Sequence, residues 1–294
     1  MSTHPPVGVR WTLGDVSDRG FEALRLSIFG AFKLFGDAAR CAVRVNSIPL
    51  RRAREQTGAL PVEVDWHDAT DLMPGFLRER FDRKMAEGVG WKLAPLRLFP
   101  DRHEISLDND CILWSMPDAL KQWLAGSQPG RCLMAEDVKT CFGQFASLCS
   151  PEPRNAGLRG LPPGFDLDSA LRDALNKIES ELGRRVQLSS ELDEQGLQTA
   201  ALSLQVPPLA VILDDVTICS PFHPHRPHLG RCGAHFVGLN ARHIPWRYYD
   251  RAADDCMTSH WHRHRAGLYE RTGAPQPLLL DEPVALEGRC AQLS

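Results

Sequence analysis

The chain has 294 residues, a formal net charge of −3, 43% hydrophobic residues and 24% charged residues. This composition is that of a globular protein able to bury a full core. The small net charge gives no support for nucleic-acid binding or for a polybasic membrane surface. No apolar run is long enough for a transmembrane segment, and the first residues lack a signal pattern.

Nine cysteines are scattered along the chain without a Cys-x-x-Cys spacing. An odd number of dispersed thiols, several of them inside apolar runs, favours buried reduced cysteines over a disulfide framework or a zinc site. We therefore expect a cytoplasmic protein.

The first half of the chain alternates predicted strands and helices. Strands are predicted over 7–13, 41–45, 61–66 and 105–113, and helices over 21–35, 50–56, 73–87 and 91–99. Such alternation favours an α/β fold in which helices flank a mostly parallel sheet, wound as in nucleotide-binding folds.

The second half is less regular. Helices are predicted over 117–125, 167–181, 192–204 and 251–271, a strand over 206–213, and a loop rich in proline and histidine over 220–233. Because there is no internal repeat and no clean linker, we predict a single domain over 1–250, with 251–294 as a C-terminal extension packed on it.

Two carboxylates, Asp108 and Asp110, follow an apolar strand-like run. Residues two apart share a face of an extended chain, so both side chains can point the same way. Carboxylates beside a core need a cation, and a hard divalent metal ion with phosphate on its far side meets that need. On its own, the pair of Asp108 and Asp110 is also consistent with a turn that is exposed to solvent.

Three later segments add to this pair: Arg154-Asn-Ala-Gly-Leu158, Asp193-Glu-Gln-Gly-Leu197 and Ala234-His-Phe-Val-Gly-Leu-Asn240, the last followed by Pro245-Trp246. Their order and spacing resemble the retaining glycosyltransferases of family 8, which include glycogenin and bacterial lipopolysaccharide galactosyltransferases. That family shows Asp-x-Asp, then Asn-Ala-Gly, Asp-Gln-Asp, His-Phe/Tyr-x-Gly and Lys-Pro-Trp. The resemblance covers about half of the chain, from Trp91 to Trp246.

The resemblance implies a GT-A type, Rossmann-like fold, Mn²⁺ or Mg²⁺ as cofactor, and a UDP-sugar as donor. Carried over by position, Asp108, Asp110 and His235 are the metal ligands. Mn²⁺ accepts an imidazole among oxygen ligands, which suits this set. A core histidine bonded to the backbone is the alternative for His235.

Asn155 and Gly157 match the family's sugar-side residues, since asparagine offers a donor and an acceptor and glycine permits close approach. An ordinary turn is the alternative. Gly238 matches the glycine that lets the backbone approach phosphate. Lys92 precedes the strand where the family often places a basic residue facing the donor, although a solvated helical lysine is as compatible.

The catalytic residues implied by the resemblance are Asp193, Glu194 and Gln195, with Gln195 at the reacting face of the donor sugar. Gly196 stands where the family has its second aspartate, so one polar contact is missing. The acidic pair also fits charge at a helix N-terminus.

The family's lysine before Pro-Trp is absent. Arg242 or His243 would have to supply that cation to the diphosphate, beside Trp246 at the donor. Two histidine-rich groups, at positions 223–228 and 260–264, resemble surface loops more than a second metal site, and no His-Glu-x-x-His motif occurs.

We therefore expect a metal-dependent retaining glycosyltransferase that moves a hexose from a UDP-sugar to an unidentified acceptor hydroxyl. No obvious nucleophile for a double displacement is present, which favours a front-face route. Gly196 and the missing lysine leave open a catalytically silent module that binds a nucleotide sugar or a protein. A phosphoryl-transfer enzyme is a third alternative.

Overall fold

The structure is a computed structural model that describes residues 6–82, 90–219, 228–239, 247–248 and 251–276, without the side chains of 247–256. Its strands are β1 Val7–Leu13, β2 Ala39–Val45, β3 Val64–Asp68, β4 His103–Asp108, β5 Cys111–Leu113, β6 Leu133–Glu136, β7 Arg154–Leu161, β8 Leu209–Val211, β9 Val216–Ile218, β10 Gly233–His235, β11 Arg247–Tyr248 and β12 Arg251–Ala252. Its helices are α1 Asp18–Phe35, α2 Leu50–Thr57, α3 Gly75–Arg78, α4 Asp118–Leu124, α5 Leu167–Leu182, α6 Glu191–Ser203 and α7 Ala253–Thr272.

The central sheet has seven strands in the order β3-β2-β1-β4-β7-β6-β8. Strand β7 runs antiparallel to both of its neighbours, whereas the other adjacent pairs are parallel. A three-stranded sheet, β5-β10-β9, lies beyond the end of β4. The predicted mostly parallel sheet flanked by helices, in a single domain, is confirmed.

One face of the central sheet is apolar and packs against α1. Val9, Trp11 and Leu13 of β1 are fully buried there. Helix α1 begins at Asp18 because the Ser17 side chain accepts a hydrogen bond from the amide of Gly20, which satisfies one of the free N–H groups of the first turn. The sequence predicted that this helix begins at residue 21, three residues too late, because residue 21 is the first apolar position of the helical pattern.

The opposite face carries buried polar side chains. Arg10 donates to the carbonyl oxygen of Pro95 at 2.7 Å, and Glu104 accepts from the amides of Leu98 and Phe99 at 2.8 and 2.7 Å. These bonds hold the segment that covers this face. The prediction of a helix over 91–99 is wrong: a single 3-10 turn spans Gly90–Leu93, because Pro95 disfavours helical geometry in the residue before it.

Three other predictions about elements need correction. The predicted strand 105–113 is two strands, β4 and β5, which belong to different sheets. The 154–158 segment, which a turn would also have explained, lies in strand β7, which has eight residues and is buried along its whole length. The predicted helix 73–87 is only α3, and residues 83–89 lie outside the described part of the chain.

Helix α7 packs on α1 beside the small sheet. Trp261 and Leu268 are buried in that contact, and Arg265 pairs with Glu22 of α1 at 2.7 Å. The seven cysteines whose side chains the structure describes are free thiols. No helix in the described ranges is long and apolar enough to cross a membrane.

Candidate metal and donor site

Three ligand-type side chains converge where the two sheets meet. Asp108 is the last residue of β4, Asp110 lies in the turn to β5, and His235 ends β10. Nε2 of His235 is 3.5 Å from Oδ2 of Asp108 and 3.2 Å from Oδ1 of Asp110. One ligand atom from each residue lies within 4.8 Å of the others. Residues far apart in the chain therefore form one cluster.

The turn that carries the two aspartates is fixed by α1. Asn109, between them, donates to the carbonyl oxygen of Gly20 at 3.1 Å. Ser27 donates to the carbonyl oxygen of Cys111 at 2.6 Å and accepts from the indole N–H of Trp11 at 2.9 Å. The chain thus leaves one sheet and enters the other at the cluster, and both sides of Asp110 are anchored.

The electrostatics of the cluster favour a positive charge. Burial by itself lowers the pKa of His235, but its interactions with Asp108 and Asp110 outweigh burial and raise that pKa to about 9. Burial raises the pKa of Asp108, but the Lys92 ammonium and His235 outweigh it and hold that pKa well below its usual range. Burial raises the pKa of Asp110, and the charge of Asp108 raises it further.

A divalent cation fits this set of residues. Oδ1 of Asp110 and Nδ1 of His235 are buried, and neither has a well-aligned hydrogen-bond partner among the described residues. Two carboxylates and an imidazole are donors that Mn²⁺ or Mg²⁺ accepts, although the imidazole favours Mn²⁺. Among the residues that the structure describes, no other three His, Cys, Asp or Glu side chains converge in this way.

Lys92 lies at the edge of the cluster. Its Nζ is 2.7 Å from Oδ2 of Asp108, and its side chain is one-fifth exposed. Burial lowers the pKa of Lys92, but the charges of Asp108 and Glu194 outweigh burial and hold it above the usual value. The lysine is therefore an ion-pair partner of Asp108 rather than a solvated helical side chain.

Gly157 lies against the imidazole of His235. A Cβ atom added at Gly157 would be 2.1 Å from Cε1 and 2.8 Å from Nε2 of that ring. The glycine therefore makes room for the histidine, and its approach to substrate stays a prediction. Only glycine at this position leaves the ring where it faces the two aspartates.

Asn155 and Gln195 share one acceptor, Asp137. Nδ2 of Asn155 donates to Oδ2 of Asp137 at 3.0 Å, and Nε2 of Gln195 lies 3.4 Å from the same oxygen. Asn155 also accepts from the amide of Gly157 at 2.8 Å, and Gln195 accepts from the amide of Ala156 at 3.3 Å. Sequence reasoning missed Asp137 because it did not predict β6, the strand that this residue follows.

Asp193 and Glu194 have different surroundings although they are adjacent. Asp193 accepts from the amides of Gln144 and Ser189, each at 3.0 Å, so it ties the start of α6 to neighbouring segments. Glu194 is buried and accepts from the side chain of Gln198. Burial raises the pKa of Glu194 to about 7. The contacts of Asp193 stabilise the start of α6, and its catalytic role stays a prediction.

Gly196 has a packing reason to be glycine. An added Cβ would lie 2.1 Å from the carbonyl oxygen of Phe142, so an aspartate at this position would force the backbone apart. Gly238 has φ 90°, a conformation that favours glycine.

The predicted residues Arg242, His243 and Trp246 lie outside the described residues, as do His223 and His225. His260 and His264 lie on α7 with ring centroids 4.8 Å apart.

Comparison with known protein structures identifies the fold of the chain. No protein-family model matches the chain, and no curated protein matches it. Among solved structures, the WbbM bifunctional glycosyltransferase aligns with a TM-score of 0.51 and 14% identity, over 91% of this chain and 52% of that longer chain. The chain has the GT-A fold. The prediction of this fold is confirmed by the strand order above and by this likeness.

Two other solved structures are similar at lower scores. The galactosyltransferase LgtC, in complex with donor and acceptor sugar analogs, has a TM-score of 0.48 and 12% identity, over 92% of this chain and 98% of its own. Mouse xyloside xylosyltransferase 1 has a TM-score of 0.48 and 14% identity, over 72% of this chain and 87% of its own. Below a score of 0.5 these two add nothing to the assignment of the GT-A fold.

Proposed function

We propose that the chain is a metal-dependent retaining glycosyltransferase that moves a hexose from a UDP-sugar to an acceptor hydroxyl. One observation carries the proposal: two carboxylates and an imidazole, from Asp108, Asp110 and His235, form a largely buried cluster at the end of β4 in a GT-A fold. In open α/β sheets, ligands bind outside the carboxyl ends of the strands. β4 ends at Asp108, so the cluster stands at such an edge.

Each residue then has a role that its contacts support. Asp108, Asp110 and His235 would hold Mn²⁺ or Mg²⁺, which as a Lewis acid supplies charge stabilisation to the leaving nucleoside diphosphate. Lys92, next to Asp108, places a second cation where donor phosphates would lie. Gly238, whose φ of 90° favours glycine, would keep the backbone free of a side chain where it approaches those phosphates.

Asp137, Asn155 and Gln195 form a hydrogen-bonded group beside the metal ligands, since Gly157 links Asn155 to His235. Amide and carboxylate groups of this kind suit sugar hydroxyls. Glu194 is buried and bonded to Gln198, which does not suit a nucleophile that attacks a sugar carbon. This arrangement supports a front-face route over a double displacement.

A catalytically silent module that binds a nucleotide sugar is the second candidate. The observation that favours it is that the side-chain amides of Asn155 and Gln195 already donate hydrogen bonds to acceptors within the protein. Packing against Phe142 requires a glycine at position 196. The carboxylate that the resemblance would place on the sugar at this position is therefore absent.

The test is UDP release from UDP-hexoses in Mn²⁺ by wild type and by Asp110→Ala. We expect steady release by wild type, and a loss of about 100-fold or more in the variant because a metal ligand is gone. Asp101→Ala is the matched control, since that carboxylate is 73% exposed and lies outside the cluster. Binding without release by wild type would support the silent module. Undiminished Mn²⁺-dependent release by Asp110→Ala would contradict the proposal.

A further inference from the structure

A buried arginine on β7 has no role in the proposed chemistry. Arg159 is 1% exposed, and no carboxylate of the described residues lies within ion-pair distance of it. Burial, with a contribution from the charge of Arg10, lowers the pKa of Arg159 to about 10, so it remains charged at neutral pH. A buried cation without a direct ion pair is costly, which calls for an explanation.

One arm of the Arg159 guanidinium holds the backbone of Lys92. Nη2 of Arg159 donates to the carbonyl oxygen of Lys92 at 3.0 Å, and Nη2 of Arg10 donates to the same oxygen at 3.3 Å. Lys92 lies in the isolated 3-10 turn of Gly90–Leu93, which belongs to no sheet. Side-chain donors therefore fix the position from which Lys92 reaches Asp108.

The other arm reaches α6. Nη1 of Arg159 donates to the side-chain oxygen of Gln198, whose amide nitrogen donates in turn to the carboxylate of Glu194. Gln198 and Glu194 are both buried and lie one helical turn apart. The guanidinium thus connects α6 to the turn that carries Lys92.

We propose that Arg159 is a positioning residue that sets Lys92 in place beside Asp108 and, through Gln198, holds Glu194 on α6. Only arginine offers donors at fixed angles that can serve two acceptors on opposite arms at once. The inference depends on the proposed function only in treating Lys92 and Glu194 as site residues. The contacts themselves are independent of the reaction.

A double-mutant cycle between Arg159→Met and Lys92→Met tests the first arm through Mn²⁺ affinity, measured by calorimetry. Lys92→Met removes a cation from beside Asp108, so Mn²⁺ should bind about tenfold more tightly. Arg159→Met should produce most of the same gain by releasing Lys92, and the double variant should gain no more. Arg97→Met is the control: the Arg97 side chain is 10% exposed and also donates to backbone carbonyls, including that of Phe165 at 2.8 Å, but it contacts neither arm.

The same cycle, run on unfolding equilibria in EDTA, separates this inference from the proposed function. Lys92→Met should lower the folding equilibrium constant about tenfold in the wild-type background, and less than about threefold in the Arg159→Met background. Equal effects in the two backgrounds would overturn the positioning role. If wild type binds no Mn²⁺, the proposed function fails, whereas the unfolding cycle in EDTA still tests the positioning role of Arg159.

Gln198→Met keeps the proposal testable if Arg159→Met does not fold. It cuts only the α6 arm, so Mn²⁺ affinity should stay within about twofold of wild type, while the unfolding free energy should change its pH dependence near neutrality as Glu194 loses its donor. An unchanged pH dependence would rule out the second arm.

Discussion

The contact between Gly157 and His235 yields a prediction that separates the site from general stability. In Gly157→Ala, the new methyl would start 2.1 Å from Cε1 of the imidazole. Carbon atoms pack at roughly 3.5–4.0 Å, so the ring must retreat by well over 1 Å. His235 is 4% exposed, and its Nε2, only 2.8 Å from the added Cβ, already lies 3.5 and 3.2 Å from the carboxylates of Asp108 and Asp110, so little space exists for that movement.

Forced overpacking of this kind costs about 1–3 kcal/mol of unfolding free energy. We expect that loss for Gly157→Ala in urea unfolding, together with Mn²⁺ binding weakened about tenfold or more, because the imidazole no longer faces the carboxylates. Gly267→Ala is the matched control. Its added Cβ meets nothing within 4 Å, and alanine within α7 should stabilise the protein by about 0.5–1 kcal/mol.

The decisive measurement repeats Gly157→Ala in a His235→Ala background. Without the ring there is nothing to overlap, so the cost of the methyl should nearly vanish, and the coupling free energy should be about 1–3 kcal/mol. An equal loss in both backgrounds would refute the reasoning, because the cost would then come from the strand and not from the histidine.

Three further variants probe neighbouring groups. Glu194→Gln should remove a pH dependence: the pKa of Glu194 is raised from 4.5 to about 7, so its contribution to stability is present below pH 4.5 and lost as pH rises to about 7. Relative to the variant, wild type should lose about 3 kcal/mol of unfolding free energy over that window, and parallel pH profiles would contradict the burial argument. Asn109→Ala removes the bond to Gly20 that anchors the aspartate turn, so Mn²⁺ affinity should fall about threefold to tenfold in calorimetry. Gln56→Ala, which changes an exposed side chain of α2, is the control for that measurement, and an unaltered affinity in Asn109→Ala would show that the turn is held by other contacts. Asp137→Ala removes the acceptor shared by Asn155 and Gln195, so the unfolding free energy should fall by about 1–2 kcal/mol while the Mn²⁺ affinity stays unchanged. Weakened Mn²⁺ binding would instead show that Asp137 contributes to the metal site.

The elements that sequence reasoning placed well are those whose burial is apolar and periodic. The predicted bounds of β1 match the structure because Val9, Trp11 and Leu13 alternate with residues of the other face. Helix α5 was predicted to within a residue because its apolar residues repeat at helical spacing and Asp166 caps it. In both cases the signal lies within one short segment.

Two of the segments that it misread are held by polar contacts. Strand β7 contains Arg154, Asn155 and Arg159, all buried, and no periodic rule predicts a strand from such residues. The segment after Gly90 takes its shape partly from Arg10, which lies 85 residues before its partner Pro95. Local pattern cannot report a conformation that distant side chains impose.

The proposed ligand set itself was found by motif order. The structure brings Asp108, Asp110 and His235 together, although their assignment as ligands stays a prediction. The assumption behind the aspartate pair was wrong in detail, since the two do not share one strand: Asp110 lies in the turn to β5. The contacts of Gly157 and Lys92 depend on tertiary packing, which the motifs do not contain.

The junction of the two sheets has a consequence for the order in which the protein is made. Cys111 of β5 lies opposite His235 of β10, so that pairing closes a loop spanning much of the chain. Closing so long a loop is entropically costly, and such contacts form late in folding. A nascent chain emerging from the ribosome carries both aspartates long before it carries the imidazole. The three side chains of the cluster therefore come together only after β10 has been made and has docked on β5.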